Sequence, residues 1–287
     1  MFGSLNGACM ILSCGLAATI SMTANVAVSQ PIQTVSASSQ GQWHYADVVD
    51  VFAPAPVALH ATIRTATRLK DESTRAGTIR FYVEADVVAL IRGPGGVPPR
   101  LSYVVDVPVD SRGRPPKLKK ADVLIAALPV KGRPGEIQLS ARDAQLMWSP
   151  ALDAQVRAVI AAVLAPGAAP VVTGVGSAFH VAGSVPGEGE TQVFLTTASG
   201  APVSLSILRR PGEAPRWAVA LGEIVDEAAA PPTRNTLAWY RLACFLPRTM
   251  PDSAVTELPA ADAAVARDDY AFVIGELGIC ERTRVPG

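Results

Sequence analysis

Glycine and proline punctuate this chain from end to end, 23 and 24 of its 287 residues. Between them lie short runs of β-branched and aromatic residues, such as Thr78 to Ile91 (TIRFYVEADVVALI), followed by the turn Arg92-Gly93-Pro94-Gly95-Gly96. Such spacing suits turn-linked strands far better than a helical bundle, because both residues interrupt helices and satisfy tight turns. An apolar content of 49% with only 17% charged residues excludes a disordered chain. Twenty-five basic side chains balance 25 acidic ones, so net charge offers no basis for a nucleic-acid or anionic-membrane partner.

The first charged side chain is Asp47. Before it, Ala8 to Ile20 (ACMILSCGLAATI) has the length of a signal-peptide hydrophobic region and is short for a membrane span. Ala27-Val28-Ser29 places small residues where a signal peptidase requires them, which predicts a leader over 1–29 and an exported product, periplasmic or secreted. The opening MFGSLNG carries no Lys or Arg, so retention of the segment as a single membrane anchor is the alternative. After cleavage no stable membrane span is expected. Cys9 and Cys14 would leave with the leader, and residues 30–42, rich in Ser and Gln, read as a linker. Cys244 and Cys280 then remain, an even count that reads as one disulfide in an exported protein.

Residues 43–165 hold 16 basic against 12 acidic side chains, and residues 166–287 hold 9 against 13. The break falls at Ala165-Pro-Gly-Ala-Ala-Pro170, which predicts two domains, 43–165 and 170–287. In the first, strands are expected at Leu59–Arg68, Thr78–Ile91, Leu101–Val107, Val123–Leu128 and Glu136–Leu139. Ser149 followed by Pro150 opens a helix with Leu152, Val156, Val159, Ile160 and Val163 on one face. Five strands and a terminal helix match a Greek-key β-barrel of the OB type. In the second, strands at 174–181, 190–197, 202–208 and 216–225 precede helices at 236–246 and 262–277, a smaller α+β domain. Its hairpin buries Val193, Leu195, Val203, Leu205 and Ile207.

The order of a first strand (ADVVDVF, 46–52, or LHATIRT), YVEADVVALIRG (82–93), LSYVVDVP (101–108) and KLKKADVLIAALPV (117–130) resembles netrin-like and tissue-inhibitor-like OB modules. That resemblance implies an OB barrel for the first half. It does not carry metalloprotease inhibition, because the amino-terminal metal-binding cysteine and the disulfides of the inhibitor members are missing here. The chain as a whole resembles exported bacterial proteins of no assigned function.

Chemistry-bearing constellations are few. The three histidines, His44, His60 and His180, lack metal-ligand spacing, so neither a metal nor a cofactor is expected. Ser177, His180, Glu188 and Glu190 form the most suggestive cluster. A serine nucleophile needs its base within hydrogen-bond reach, whereas residues three apart on a strand face opposite ways. Glycines 174, 176, 183, 187 and 189 complete no phosphate-binding fingerprint and read as turn formers. Arg112, Arg114, Lys117, Lys119 and Lys120 are the densest basic run, a solvated loop or the rim of a site for an acidic partner or glycan. Trp217, Trp239, Tyr240 and Phe245 read as core packing. The expectation is a non-catalytic binding or structural protein of the cell envelope, partner unknown, with a hydrolase using Ser177, His180 and nearby carboxylates as the alternative.

Overall fold

The computed structural model describes residues 43–70, 76–222 and 230–284. The expected leader with Cys9 and Cys14, and the linker after it, lie outside the described residues.

The fold is mainly β, with two antiparallel sheets that remain open and several helices. Its first element corrects one of the two choices for a first strand. Residues 46–52 belong to helix α1 (Tyr45–Phe52), and the first strand is the segment containing LHATIRT. The Asp47 carboxylate accepts the His44 amide at 3.3 Å and holds the helix start. Ala46, Asp47, Val48, Val49, Val51 and Phe52 are all buried. A segment enclosed nearly all round does not need the one-sided alternation of a half-exposed strand.

The larger sheet contains β1 (Val57–Arg68), β2 (Thr78–Arg92), β3 (Arg100–Pro108), β4 (Asp122–Pro129) and β5 (Ile137–Leu139), in the order β3-β2-β1-β4-β5. A sixth strand, β6 (Gln145–Met147), pairs with β4 beside β5; at three residues it is too short to show a period in the sequence. Every named pair is antiparallel. Edge strand β3 meets the residue before β5 at one isolated parallel bridge, Ser102 to Glu136, and the Ser102 amide donates to Gly135 O at 2.8 Å. No ladder continues from that bridge, so the sheet does not close.

Alternate residues of this sheet, among them Leu59, Ile63, Val83, Leu101, Val105, Val123 and Ile125, fill one hydrophobic cluster. The opposite face of β1 and β4 is buried as well. Ala58, Leu124 and Ala126 join a second, larger cluster built mostly by the helices and the other sheet. Burial on both faces explains the unbroken apolar run Val123–Ala127, which lacks the alternation of its neighbours.

Helix α2 (Pro150–Leu164) begins as expected: Ser149 Oγ accepts the Leu152 amide at 3.2 Å, with Pro150 in the first turn. The smaller sheet is a meander of β7 (Val172–Ala182), β8 (Gly189–Thr197), β9 (Val203–Arg209) and β10 (Arg216–Ala220), in the order β10-β9-β8-β7. Helices α3 (Leu237–Ala243) and α4 (Ala260–Leu277) follow. α4 turns Ala263, Ala266, Tyr270, Val273 and Leu277 inward, and it lies on β7 and β8. No helix among the described residues is long and apolar enough to cross a membrane.

Candidate functional site

The basic run occupies the connection between β3 and β4. Asp110 organises its first half: one carboxylate oxygen accepts the Arg112 and Arg114 amides, each at 2.9 Å, and the Asp110 amide donates to Arg114 O at 2.8 Å. The Arg114 amide is the main cause that holds the Asp110 carboxyl below the usual carboxylate range, with the Arg112 amide adding to it. Gly113 takes φ +73° inside this turn, a conformation that a side chain would disfavour. In the second half Leu118 is buried in the cluster of the larger sheet, and the flanking Lys117 and Lys119 are exposed. The Lys120 amide donates to Ile63 O at 2.8 Å and anchors the return into β4. Arg114 pairs with Asp110 at 3.3 Å, but Arg112, Lys117, Lys119 and Lys120 have no carboxylate within ion-pair distance among the described residues. The loop therefore presents four solvated cations on a backbone tied down at both ends.

The same edge strand that leads into this loop borders two shallow grooves. One, of about 220 Å³, lies among Tyr82, Ser102, Val104, Glu136 and Gln138. The other, of about 330 Å³, lies among Arg80, Val104, Asp106, Ser140 and Arg142. Both follow the gap where β3 parts from β5. Tyr103, buried beneath, donates its hydroxyl to Gln145 Oε1 at 2.6 Å, which joins β3 to β6 under the gap. Burial pushes the Tyr103 phenol up, so it stays protonated as that donor. Arg80 and Asp106 form an ion pair at 2.6 Å along the groove, whereas Arg142 is exposed.

Ser177 and His180 are not brought together. On β7, Ser177 stands opposite the exposed Phe194 and His180 opposite the fully buried Thr191. His180 belongs instead to a chain that reaches a carboxylate buried on α4. Its Nδ1 lies 2.9 Å from Thr191 Oγ1, and the Thr191 hydroxyl donates to Asp269 Oδ2 at 2.5 Å. Because that hydroxyl proton is spent on Asp269, Thr191 accepts from His180, whose Nδ1 carries the proton of that bond. Arg209 Nε donates to Asp269 Oδ1 at 2.5 Å. Glu190 lies on the opposite face, accepting from Gln192 Nε2 at 3.0 Å; Glu188 packs over Gly183.

A second polar cluster escaped the sequence reading. The Tyr240 hydroxyl donates to Asp50 Oδ1, and Arg282 Nε lies 2.7 Å from Asp50 Oδ2. Burial, with the neighbouring Asp50 carboxylate, pushes the Tyr240 phenol up. Trp217, Trp239 and Tyr240 are buried as expected, but Phe245 is 37% exposed, a correction to its reading as core. It meets Tyr240 edge-on at 5.3 Å under the Arg282 guanidinium, where one ring face stays open to the cation. The one hint of the Asp269 chain was its position on the apolar face of α4, four residues before Val273, where an unpaired carboxylate would be costly. The Asp50 cluster joins residues more than 200 positions apart and left no local mark.

His44 faces Glu281 at 3.5 Å. His60 stacks on Trp148 with centroids 5.1 Å apart, and Asp122 lies 3.7 Å from its Nε2. Cys244 and Cys280 lie at disulfide distance, with Cα atoms 5.1 Å apart. No group of three or more His, Cys, Asp or Glu side chains among the described residues is placed to hold a metal ion. No protein-family model matches the chain, and no curated protein matches it at a significant level.

Proposed function

We propose that this chain is an exported, non-catalytic binding or structural module of the cell envelope, and that its first half is an OB-like barrel that takes an acidic partner, protein or glycan, along β3. The observation that carries the reading is the β3–β4 loop: four cations without acidic partners among the described residues, on a backbone tied down by Asp110, Leu118 and Lys120. Fixed cations attract an anionic surface without the ordering cost of a floppy loop. The strand order and the parallel Ser102–Glu136 bridge support the barrel reading, since an OB barrel is a five-stranded, partly open Greek-key sheet. Cys244 and Cys280 at disulfide distance support export to an oxidising compartment. The hydrolase alternative draws on the orientation of His180 by Thr191 and Asp269 but lacks Ser177 as its nucleophile, so it is the weaker reading.

The test replaces Arg112, Lys117, Lys119 and Lys120 together by Glu and compares retention on immobilised polyglutamate and on an acidic polysaccharide. Native protein is expected to bind at low salt and to elute as ionic strength rises, because exposed charges are screened within roughly 8 Å at physiological salt. The variant, with an unchanged circular dichroism spectrum, is expected in the flow-through. Equal retention of the two proteins would remove this loop as the binding surface.

A further inference from the structure

The last described residues do not trail into solvent. Beyond α4 the chain turns at Gly278, where φ is +73°, and passes the exposed Ile279 to reach Cys280. Residues 281–284 then lie as a strap across α1. Asp47, fully buried, accepts the Thr283 amide at 2.9 Å, the Thr283 hydroxyl at 2.6 Å and the Arg284 amide at 2.9 Å. Arg282 reaches Asp50 on the same helix, and its guanidinium lies over the rings of Tyr240 and Phe245. Arg284 pairs with Asp143 at 2.5 Å through Nε and covers Trp43.

Gly278 and Ile279 are a poor root for such a strap. A glycine at positive φ followed by a solvated isoleucine gives the chain a freedom just after the helix that two long, exposed bonds limit, Arg248 to Gly278 O at 3.3 Å and Arg234 to Ile279 O at 3.5 Å. The Cys244–Cys280 pair removes that freedom. Cys244 caps α3 one turn after Tyr240, with its amide donating to Tyr240 O at 3.1 Å, so the bridge delivers Arg282 beside the tyrosine that shares Asp50 with it. Both cysteines are partly exposed, and their neighbours Phe245 and Ile279 are on the surface, so a small reductant can reach them.

We propose that residues 281–284 are a redox-gated strap, closed on α1 while Cys244 and Cys280 are bridged and released when a dithiol reduces them. The dithiol supplies two electrons and two protons and becomes a cyclic disulfide, while the protein's S–S bond opens to two thiols. Release uncovers the acidic edge of α1, Asp47 and Asp50, together with Asp143 and the ring of Tyr240. The device is independent of the β3–β4 loop.

Hydrogen exchange followed by mass spectrometry on the full chain tests it. With a dithiol present, exchange in peptides covering 279–284 and 43–52 is expected to rise by about tenfold or more, while β4 keeps its protection, the pattern of local rather than global opening. Arg282→Ala with Arg284→Ala, the bridge intact, is expected to open 43–52 without reductant. Unchanged exchange at 279–284 on reduction would overturn the proposal. So would a uniform rise across all peptides, which would make the bridge a general stabiliser. Persistent protection of 43–52 in the double-alanine variant would overturn it too, by showing that the strap does not hold α1.

Discussion

Asp47, Thr191 and Asp269 are the fully buried polar or charged residues among those described, and each is paired. Asp47 shows why such a group is tolerated. Burial alone would raise its carboxyl, but the Thr283 hydroxyl and the Arg284, Thr283 and His44 amides outweigh that and hold it below the usual range. Asp47→Ala leaves those donors without their acceptor and is expected to cost about 1–3 kcal/mol in urea unfolding at neutral pH. The sign with pH follows from the direction of the shift. A folded-state pKa below the ordinary value of 3.8 stabilises the protein fully above that value. The benefit fades as pH falls through the lower folded-state pKa, so native and Asp47→Ala stabilities should converge in acid. A difference that stays constant down to low pH would show that the carboxylate charge is not what the strap recognises. Asp269 is likewise paired, by the Thr191 hydroxyl and Arg209, and His180 ends that chain on the face of β7 opposite Ser177.

At the scale of elements, much was legible because the signals are local. Ser149 ahead of Pro150 marked the start of α2, and the alternation of Val193, Leu195, Val203, Leu205 and Ile207 marked the buried face of the β8–β9 hairpin. The cap is measurable: Ser149→Ala is expected to cost about 1 kcal/mol, read from the shift in denaturation midpoint at constant slope. A loss near zero would mean that Pro150 and the packing of Leu152 start the helix unaided. Residues 46–52 were expected as one of two choices for the first strand, since Ala-Asp-Val-Val-Asp-Val-Phe is rich in β-branched and aromatic residues. Burial on nearly all sides and the Asp47 bond to the His44 amide decide for helix. β6 escaped notice because its pairing with Val123–Ile125 is set by β4, not by its own three residues.

For the whole molecule, the composition break at 165–170 separates two sheets, yet one hydrophobic cluster crosses it. Ala58, Leu124 and Ala126 from the larger sheet share that cluster with Val156 of α2, Leu205 of β9, Tyr240 of α3 and Tyr270 of α4. Thermal unfolding is therefore expected as a single transition, with tryptophan fluorescence and far-ultraviolet circular dichroism coincident. Leu124→Ala, in the shared cluster, is expected to destabilise by about 2–5 kcal/mol without splitting the transition. Two separated transitions would show that the halves keep independent cores. Most strand and helix positions, though not α1 or β6, the turn residues and the cysteine pair could be read from the chain alone, because period, capping and turn chemistry act over a few neighbouring residues. Only the folded molecule decided that β3 parts from β5 after one bridge, that His180 answers to Asp269, and that Arg282 and Thr283 reach back to Asp50 and Asp47. Those pairings depend on where distant segments meet once their apolar faces are buried, and burial, being non-directional, leaves no local signature of which partner it will bring.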